Sequence, residues 1–320
     1  MSLTIAFAGD TMLGREVAVR LARPGHRLLA GELQAIARGA DLFILNLECC
    51  VSDRGQRVRD PGKRFFFRAP PVAAERLAEM GVNCVTLANN HALDFGPDAL
   101  HDTLDHLRAA GIAAVGAGSD DAAARAPVLL RGAGMHVRVV AVTDHPSAHA
   151  AGSDRPGIAF ADLAGEAVPT WLCKASAPGP DADVVILSAH WGPNMRAEPV
   201  PHVRRAAAAI QAAGATLVVG HSAHVPQGPS GRTLFDLGDF IDDYAVDPVL
   251  RNDLGLLWLI TLDAEGPRRV EGVPVRLELG HTRLASQVET TMLLALLEER
   301  CAAVGSCVHR QDERLVFDLR

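Results

Sequence analysis

The sequence predicts an α/β protein, a sandwich of mixed sheets, and three observations carry this reading. Apolar runs of strand length alternate with helical patterns through the first two thirds of the chain, as parallel strands joined by crossover helices require. The later apolar runs have short connections and look antiparallel. The 320 residues, 48% hydrophobic and 22% charged, have ordinary globular composition and length for one large domain or two small ones.

In chain order, strand-like runs occupy 3–8, 41–47, 83–88, 112–116, 137–142, 184–189, 215–219, 233–236, 255–262 and 270–279. Between them, 71–80, 97–110 and 200–213 carry apolar residues at i, i+3 and i+4 and read as helices, with Pro97 and Pro201 near their first turns. Two long segments, 52–71 and 143–180, show no regular pattern, and irregular stretches of that length inside a domain are often functional covers. From 285 to 304 an apolar-striped helix with Met292, Leu293, Leu296 and Leu297 precedes a short strand. It reads as an appendix, 285–320, docked on a domain of residues 1–284. Its Leu and Met residues would serve a core or a dimer seam equally, so the oligomeric state stays open.

Charge and cysteine usage narrow the function classes. Lys and Arg total 31 against 38 Asp and Glu, a net charge of −7, and basic pairs such as Arg204-Arg205 and Arg268-Arg269 are short and scattered. Nucleic acid is therefore not the expected partner. The amino terminus lacks a basic segment followed by a long apolar run, and the longest apolar stretch, 254–262, is far below the roughly 20 residues that span a bilayer. The expectation is a soluble, cytoplasmic protein without a membrane span. Cys49, Cys50, Cys84, Cys173, Cys301 and Cys307 include no CxxC pair and read as reduced thiols, a Cys301–Cys307 bridge being open only to an oxidising compartment.

The informative pattern lies where strands end. The run at 5–8 leads into Gly9-Asp10, that at 42–45 into Asn46-Leu47-Glu48, and that at 85–88 into Asn89-Asn90-His91. The run at 184–189 leads into His190-Trp191-Gly192, and that at 217–219 into Gly220-His221-Ser222-Ala223-His224. Each alone has a plain reading: a turn at Asp10, a solvated carboxylate at Glu48, a turn cap at Asn90, a hydrogen-bonded His190. Together they are metal-ligand types delivered repeatedly to the carboxyl ends of strands, where α/β sheets assemble sites. Oxygen and imidazole donors without thiolate suit Mn²⁺, Fe²⁺ or catalytic Zn²⁺. Five or six donors are too many for one catalytic ion with an open position, so two divalent ions are expected, with a carboxylate able to bridge them and a bound water made acidic enough to attack near neutral pH.

These motifs resemble the calcineurin-like metallophosphatase superfamily, and within it the bacterial capsule-synthesis proteins of the CapA, poly-γ-glutamate type. Gly9-Asp10-Thr11-Met12-Leu13-Gly14-Arg15 is similar to that family's opening GD-x-M-L-G-R. Asn46-Leu47-Glu48 resembles its NLE, and 87–96 its LANNHALDYG. His190-Trp191-Gly192 resembles HWG, and 220–227 resembles GHHPHVxQ. The resemblance implies a metallophosphatase-like α/β/β/α sandwich. It implies that Asp10, Glu48 and His224 hold one ion while Glu48, Asn90, His190 and His221 hold the other. His91, paired with Asp94, would protonate a leaving group or stabilise developing negative charge; Asp94 also reads as a helix cap.

The sequence departs from the pattern in places. Met12 stands where the wider superfamily has a ligand His, as in CapA-type proteins, Ser222-Ala223 replaces His-Pro, and Asp239 in Leu237-Gly238-Asp239-Phe240 replaces Asn, reading as a turn in preference to an outer ligand. The N-terminal anchor of membrane-anchored capsule proteins has no counterpart here, which weakens the expectation of a role at an envelope polymerase. Arg15, Arg68 and the pair Lys63-Arg64 are candidate contacts for an anionic substrate. Phe65-Phe66-Phe67 reads as a lid or a core strand, and Trp191 as pocket wall or packing. The implied function is a metal-dependent hydrolase, manganese being a natural ion. It would cleave a phosphoester or a γ-glutamyl-type amide in a small-molecule or oligomeric anionic substrate. The alternative is a non-catalytic accessory protein binding an anionic polymer or a biosynthetic complex.

Overall fold

A computed structural model describes residues 2–23 and 25–319. Two mixed sheets pack face to face. In the larger, the parallel strands Leu3–Thr11, Leu42–Leu47, Cys84–Thr86 and Ala113–Val115 lie side by side, and Leu254–Asp263 pairs antiparallel with Leu3–Thr11 on its other side. Gly266–Glu278, Arg314–Asp318 and Cys307–Gln311 continue the sheet outward in antiparallel register. In the smaller sheet, Met135–Thr143, Val184–His190, Leu217–His221 and Thr233–Leu234 run parallel, with Val128–Gly132 as an antiparallel hairpin partner at one edge.

Strand alternation builds the layers. In the first strand Leu3, Ile5 and Phe7 face the second sheet and share a core with its Val137, Val139 and Ile186 and with Trp258 of the adjacent strand, while Ala6 and Ala8 face the helices Arg15–Leu21, Gly31–Arg38 and Val72–Met80. The second sheet turns Val140, Leu187 and Val218 outward onto helix Pro201–Ala213 through Val203, Ala207 and Ile210. Helix, sheet, sheet and helix follow one another, the mixed α/β sandwich that the alternating pattern predicts.

The three helices read from periodicity appear as Val72–Met80, Gly96–Ala109 and Pro201–Ala213. Four short helices escape the pattern: Arg15–Leu21, Gly31–Arg38, Asp121–Arg125 and Thr170–Ser176. Arg15–Leu21 buries only Val17 and Leu21, too few positions to show a period. The segment 143–180 is more ordered than it reads, holding a 3₁₀ turn at Ser147–His149, the short strand Gly157–Ile158 and helix Thr170–Ser176. Residues 285–320 supply helix Gln287–Ala302 and two strands of the large sheet, where a single strand was expected. A Ser286–Glu289 capping box starts the helix. Leu293, Leu297 and Cys301 enter the inter-sheet core, whereas Met292, expected in the apolar stripe, is 43% exposed. All six cysteines are free thiols. Among the described residues no helix is long and apolar enough to cross a membrane.

Candidate metal centre

The parallel strands of both sheets deliver their carboxyl ends to one place, and the registers show how. Asp10 is partnered across the ladder by Asn46 on one side and by Asp239 on the other, and His190 lies opposite His221 in the second sheet. Close backbone approach makes this possible. A Cβ at Gly9 would overlap the Gly238 carbonyl, which accepts the Asp10 amide at 2.9 Å, and one at Gly220 would overlap the Phe235 carbonyl.

Asp10 sits at the centre. Its Oδ1 accepts from Asn46 Nδ2 at 2.8 Å and lies 3.3 Å from His221 Nδ1; its Oδ2 accepts from the Ser222 amide at 3.2 Å and lies 3.3 Å from His224 Nδ1. His190 Nε2 is 3.9 Å from Glu48 Oε1, and Tyr244 OH donates to Glu48 Oε2 at 3.3 Å. Two clusters have ligand atoms close enough to share an ion, Asp10 with Glu48 and His190, and Asp10 with His224 and Asp239. Asp10, not Glu48, is the residue common to both, and Asp239 enters where a turn was favoured. It opens strand Asp239–Ile241 and is buried against His224 at 2.8 Å.

The donor chemistry fits a cation. Glu48 Oε1, Asn90 Oδ1, His221 Nδ1 and Asp239 Oδ2 are buried without a hydrogen-bond partner, a costly arrangement unless a charge answers them. Burial works to raise the Asp10 carboxyl, but the imidazoles of His221, His224 and His190 hold it well below the usual carboxylate range. Glu48 is pushed the other way, by burial and then by Asp10, and Asp239 by burial, Asp242 and Asp10. Burial also drives His190 well below its ordinary value, so it is a neutral imidazole, the form that binds metal.

Beside this cluster stands His91. Its Nδ1 lies 2.6 Å from Asp94 Oδ2, which also accepts the Phe67 amide at 2.6 Å, while Lys63 Nζ contacts Asp94 Oδ1 at 2.8 Å. Asp94 does not cap the following helix, Gly96–Ala109, whose N-cap residue is Phe95 and which has no side-chain cap. Burial lowers His91 to about 4 against the pull of Asp94, leaving it neutral at physiological pH. Its ring lies 4.0 Å from that of Phe67, and a cavity of about 310 Å³ opens over it, walled by Phe65, Phe67, Tyr244 and Met195 and reaching His224 and Arg15.

Arg15 borders this cavity, pairs with Asp243 through Nε at 2.9 Å and packs over Phe67 at 5.1 Å. Arg68 is not brought there. Side chains alternate along 65–68, so Phe65 and Phe67 face the cavity while Phe66 and Arg68 face away. The Arg68 guanidinium covers the Phe95 ring at 4.2 Å and donates to the Arg54 carbonyl. Arg64 is exposed. Trp191 packs in the outer core, donating to the Phe235 carbonyl at 2.9 Å.

Asn46 and Asn89 stand in the strand-end motifs, but residue type and position give them no role of their own; Asn46 Oδ1 accepts from Thr86 Oγ1 at 3.1 Å and from Asn89 Nδ2 at 3.0 Å, a buried scaffold under Asp10. Tyr244, the single tyrosine, follows a segment that spacing rules do not single out. Asp144 accepts from the Gly192 amide at 3.0 Å, contacts His145 Nδ1 and lies 3.2 Å from His202 Nε2, tying the His190 loop to the neighbouring strand end.

Two packed mixed sheets, with buried carboxylates and imidazoles gathered at their parallel strand ends, define an α/β sandwich protein with groups that could hold a metal ion. Residues 4–244 match the family model described as "Bacterial capsule synthesis protein PGA_cap", and the chain belongs to that family. A Mycobacterium tuberculosis protein named "Probable polyglutamine synthesis accessory protein" is 29% identical over 98% of this chain and 95% of its own. The Bacillus anthracis "Capsule biosynthesis protein CapA" is 28% identical over 75% of this chain and 60% of its own, and the Bacillus subtilis "PGA biosynthesis protein CapA" 27% identical over 75% and 63%. A solved structure of a hypothetical protein from Thermus thermophilus aligns with a TM-score of 0.49 at 14% identity, covering 85% of this chain and 98% of that one.

Proposed function

We propose that this protein is a metal-dependent hydrolase of the poly-glutamate synthesis context named for its relatives. Its substrate is anionic, small or oligomeric, and cleaved at a phosphoester or a γ-glutamyl-type amide. The observation that carries the reading is that Glu48 Oε1 and His221 Nδ1, buried without a hydrogen-bond partner, gather with Asp10 beside the His91–Asp94 pair. Asp10, Glu48, Asn90, His190, His221 and His224 are the residues to hold two divalent ions, Mn²⁺, Fe²⁺ or Zn²⁺. When bound, such ions supply Lewis acidity and lower the pKa of a coordinated water.

The remaining chemistry belongs to the chain. Asp94 occupies His91 Nδ1 and fixes the ring, so Nε2 is the atom left to move a proton at the cavity floor. Burial keeps His91 neutral, and Lys63, paired with Asp94, adds to that effect. Phe65, Phe67, Tyr244 and Met195 exclude water from one side of the cavity, and Arg15 supplies a cation at its border. The six free thiols agree with a cytoplasmic setting, and the site-bearing unit is read as residues 1–284 with 285–320 packed on it.

The test pairs metal content with turnover. Purified protein supplied with Mn²⁺ is assayed against phosphomonoesters, phosphodiesters and γ-glutamyl peptides, beside His91→Ala. Hydrolysis by the wild type and its loss, with metal retained, in His91→Ala are expected. The "accessory" name of the mycobacterial relative favours a second reading, a binding protein for an anionic polymer. Full metal occupancy with no turnover on any substrate would select it.

A further inference from the structure

We propose that Asp239 is a direct ligand of the ion that Asp10 and His224 hold, a role that rests on the metal-centre reading above and adds a carboxylate to it. Strand Asp239–Ile241 runs parallel to Leu3–Thr11 with Asp10 and Asp239 as register partners. Partners across a parallel ladder project to the same face about 5 Å apart, so two carboxylates, each 1% exposed, stand side by side. One imidazole lies between them: His224 Nδ1 is 2.8 Å from Asp239 Oδ1 and 3.3 Å from Asp10 Oδ2. The other Asp239 oxygen, Oδ2, is buried and makes no hydrogen bond of ordinary geometry, with the Asp242 carboxyl, whose Oδ2 is likewise unpartnered, as its neighbour.

A turn-forming aspartate bonds backbone amides nearby in sequence. Asp236 does so, accepting the Gly238 amide at 2.9 Å as well as the Ala223 amide at 2.7 Å, and Asp239 accepts no backbone amide among the described residues. Nor does Met12, two residues beyond Asp10, compete for the place. Its sulfur accepts the Gly14 amide at 3.0 Å within its own loop. Asp10 and Asp239 joined by a single imidazole give this cluster two carboxylates to one nitrogen donor, which suits a hard ion such as Mn²⁺.

The experiment is Mn²⁺ titration by calorimetry of the full chain and of Asp239→Asn. The amide is isosteric and still offers His224 an acceptor but lacks the charge. Wild type should bind two ions, and the variant should bind one of them more than about 100-fold more weakly, beyond the roughly 10- to 100-fold loss typical of a residue that only orients a ligand, with the other unchanged. In Mn²⁺-loaded wild-type crystals, anomalous scattering should place an ion about 2.0–2.4 Å from an Asp239 oxygen. Identical isotherms, or an ion on Asp10 and His224 with both Asp239 oxygens beyond about 3 Å, would overturn the assignment. Wild type that binds no Mn²⁺ would refute the metal centre itself, a different result from two ions bound without Asp239.

Discussion

Asn46→Ala probes the polar scaffold beneath the candidate metal centre. The Asn46 side chain is fully buried; its amide nitrogen donates to Asp10 at 2.8 Å, and its oxygen is the shared acceptor for Thr86 and Asn89. Truncation leaves Thr86 Oγ1 without its acceptor and takes a charge-assisted bond from Asp10; Asn89 Nδ2 keeps the Leu47 carbonyl at 2.8 Å. Two neutral bonds at about 1 kcal/mol each and one to a charged group at about 1.5–3 kcal/mol give a loss of about 3.5–5 kcal/mol. That is a large share of the roughly 5–15 kcal/mol that stabilises an ordinary domain. Urea unfolding of the metal-free protein measures it as a lower midpoint at unchanged slope. Thr86→Val in the Asn46→Ala background should cost less than in the wild type, with a coupling of about 1 kcal/mol, because the hydroxyl has already lost its acceptor. A loss below about 1 kcal/mol, or strict additivity, would show that water or a shifted side chain replaces Asn46 and would refute the scaffold argument.

Two further outcomes follow from charge. Glu289 is held at about 2 by Arg283, whose Nη1 and Nη2 donate at 2.9 and 3.0 Å, and by the Ser286 amide at 2.7 Å. A carboxylate depressed on folding stabilises the fold above its unfolded pKa, near 4.3, and loses that contribution as pH falls toward the folded value. Glu289→Gln should therefore cost about 1 kcal/mol at pH 7 and progressively less from pH 5 to pH 2, and a pH-independent gap in urea midpoints would contradict it. Chelation should lower the thermal midpoint of metal-loaded protein, since each ion present at 100 times its Kd contributes about 2.7 kcal/mol; an unchanged melting curve would mean that the folded state gains nothing from metal.

Much of the centre is legible in the sequence because the fold delivers strand ends to one edge. Asp10, Glu48, His190, His221 and His224 each follow an apolar run, and in parallel sheets such runs finish together, so residue type and position already imply convergence. Arg68 shows where this reading stops. It lies beside Phe67, which lines the cavity, yet pleating turns it to the opposite face, and which face is inward depends on the pairing of Arg68–Ala69 with Cys50–Val51. Met292 departs from expectation in the same way, because helix Gln287–Ala302 carries apolar residues on more than its buried side.

By itself the sequence determined the α/β class, the strand ends that bear the chemistry and the family to which the chain belongs. Only the tertiary structure decided how the donors group. Asp239 meets Asp10 through a three-residue strand more than two hundred positions away, and Asn46 is bonded to Thr86 and Asn89 across neighbouring strands. Local pattern carries periodicity and residue type, but these contacts depend on register between distant segments, which is set by burying both faces of the sheets at once.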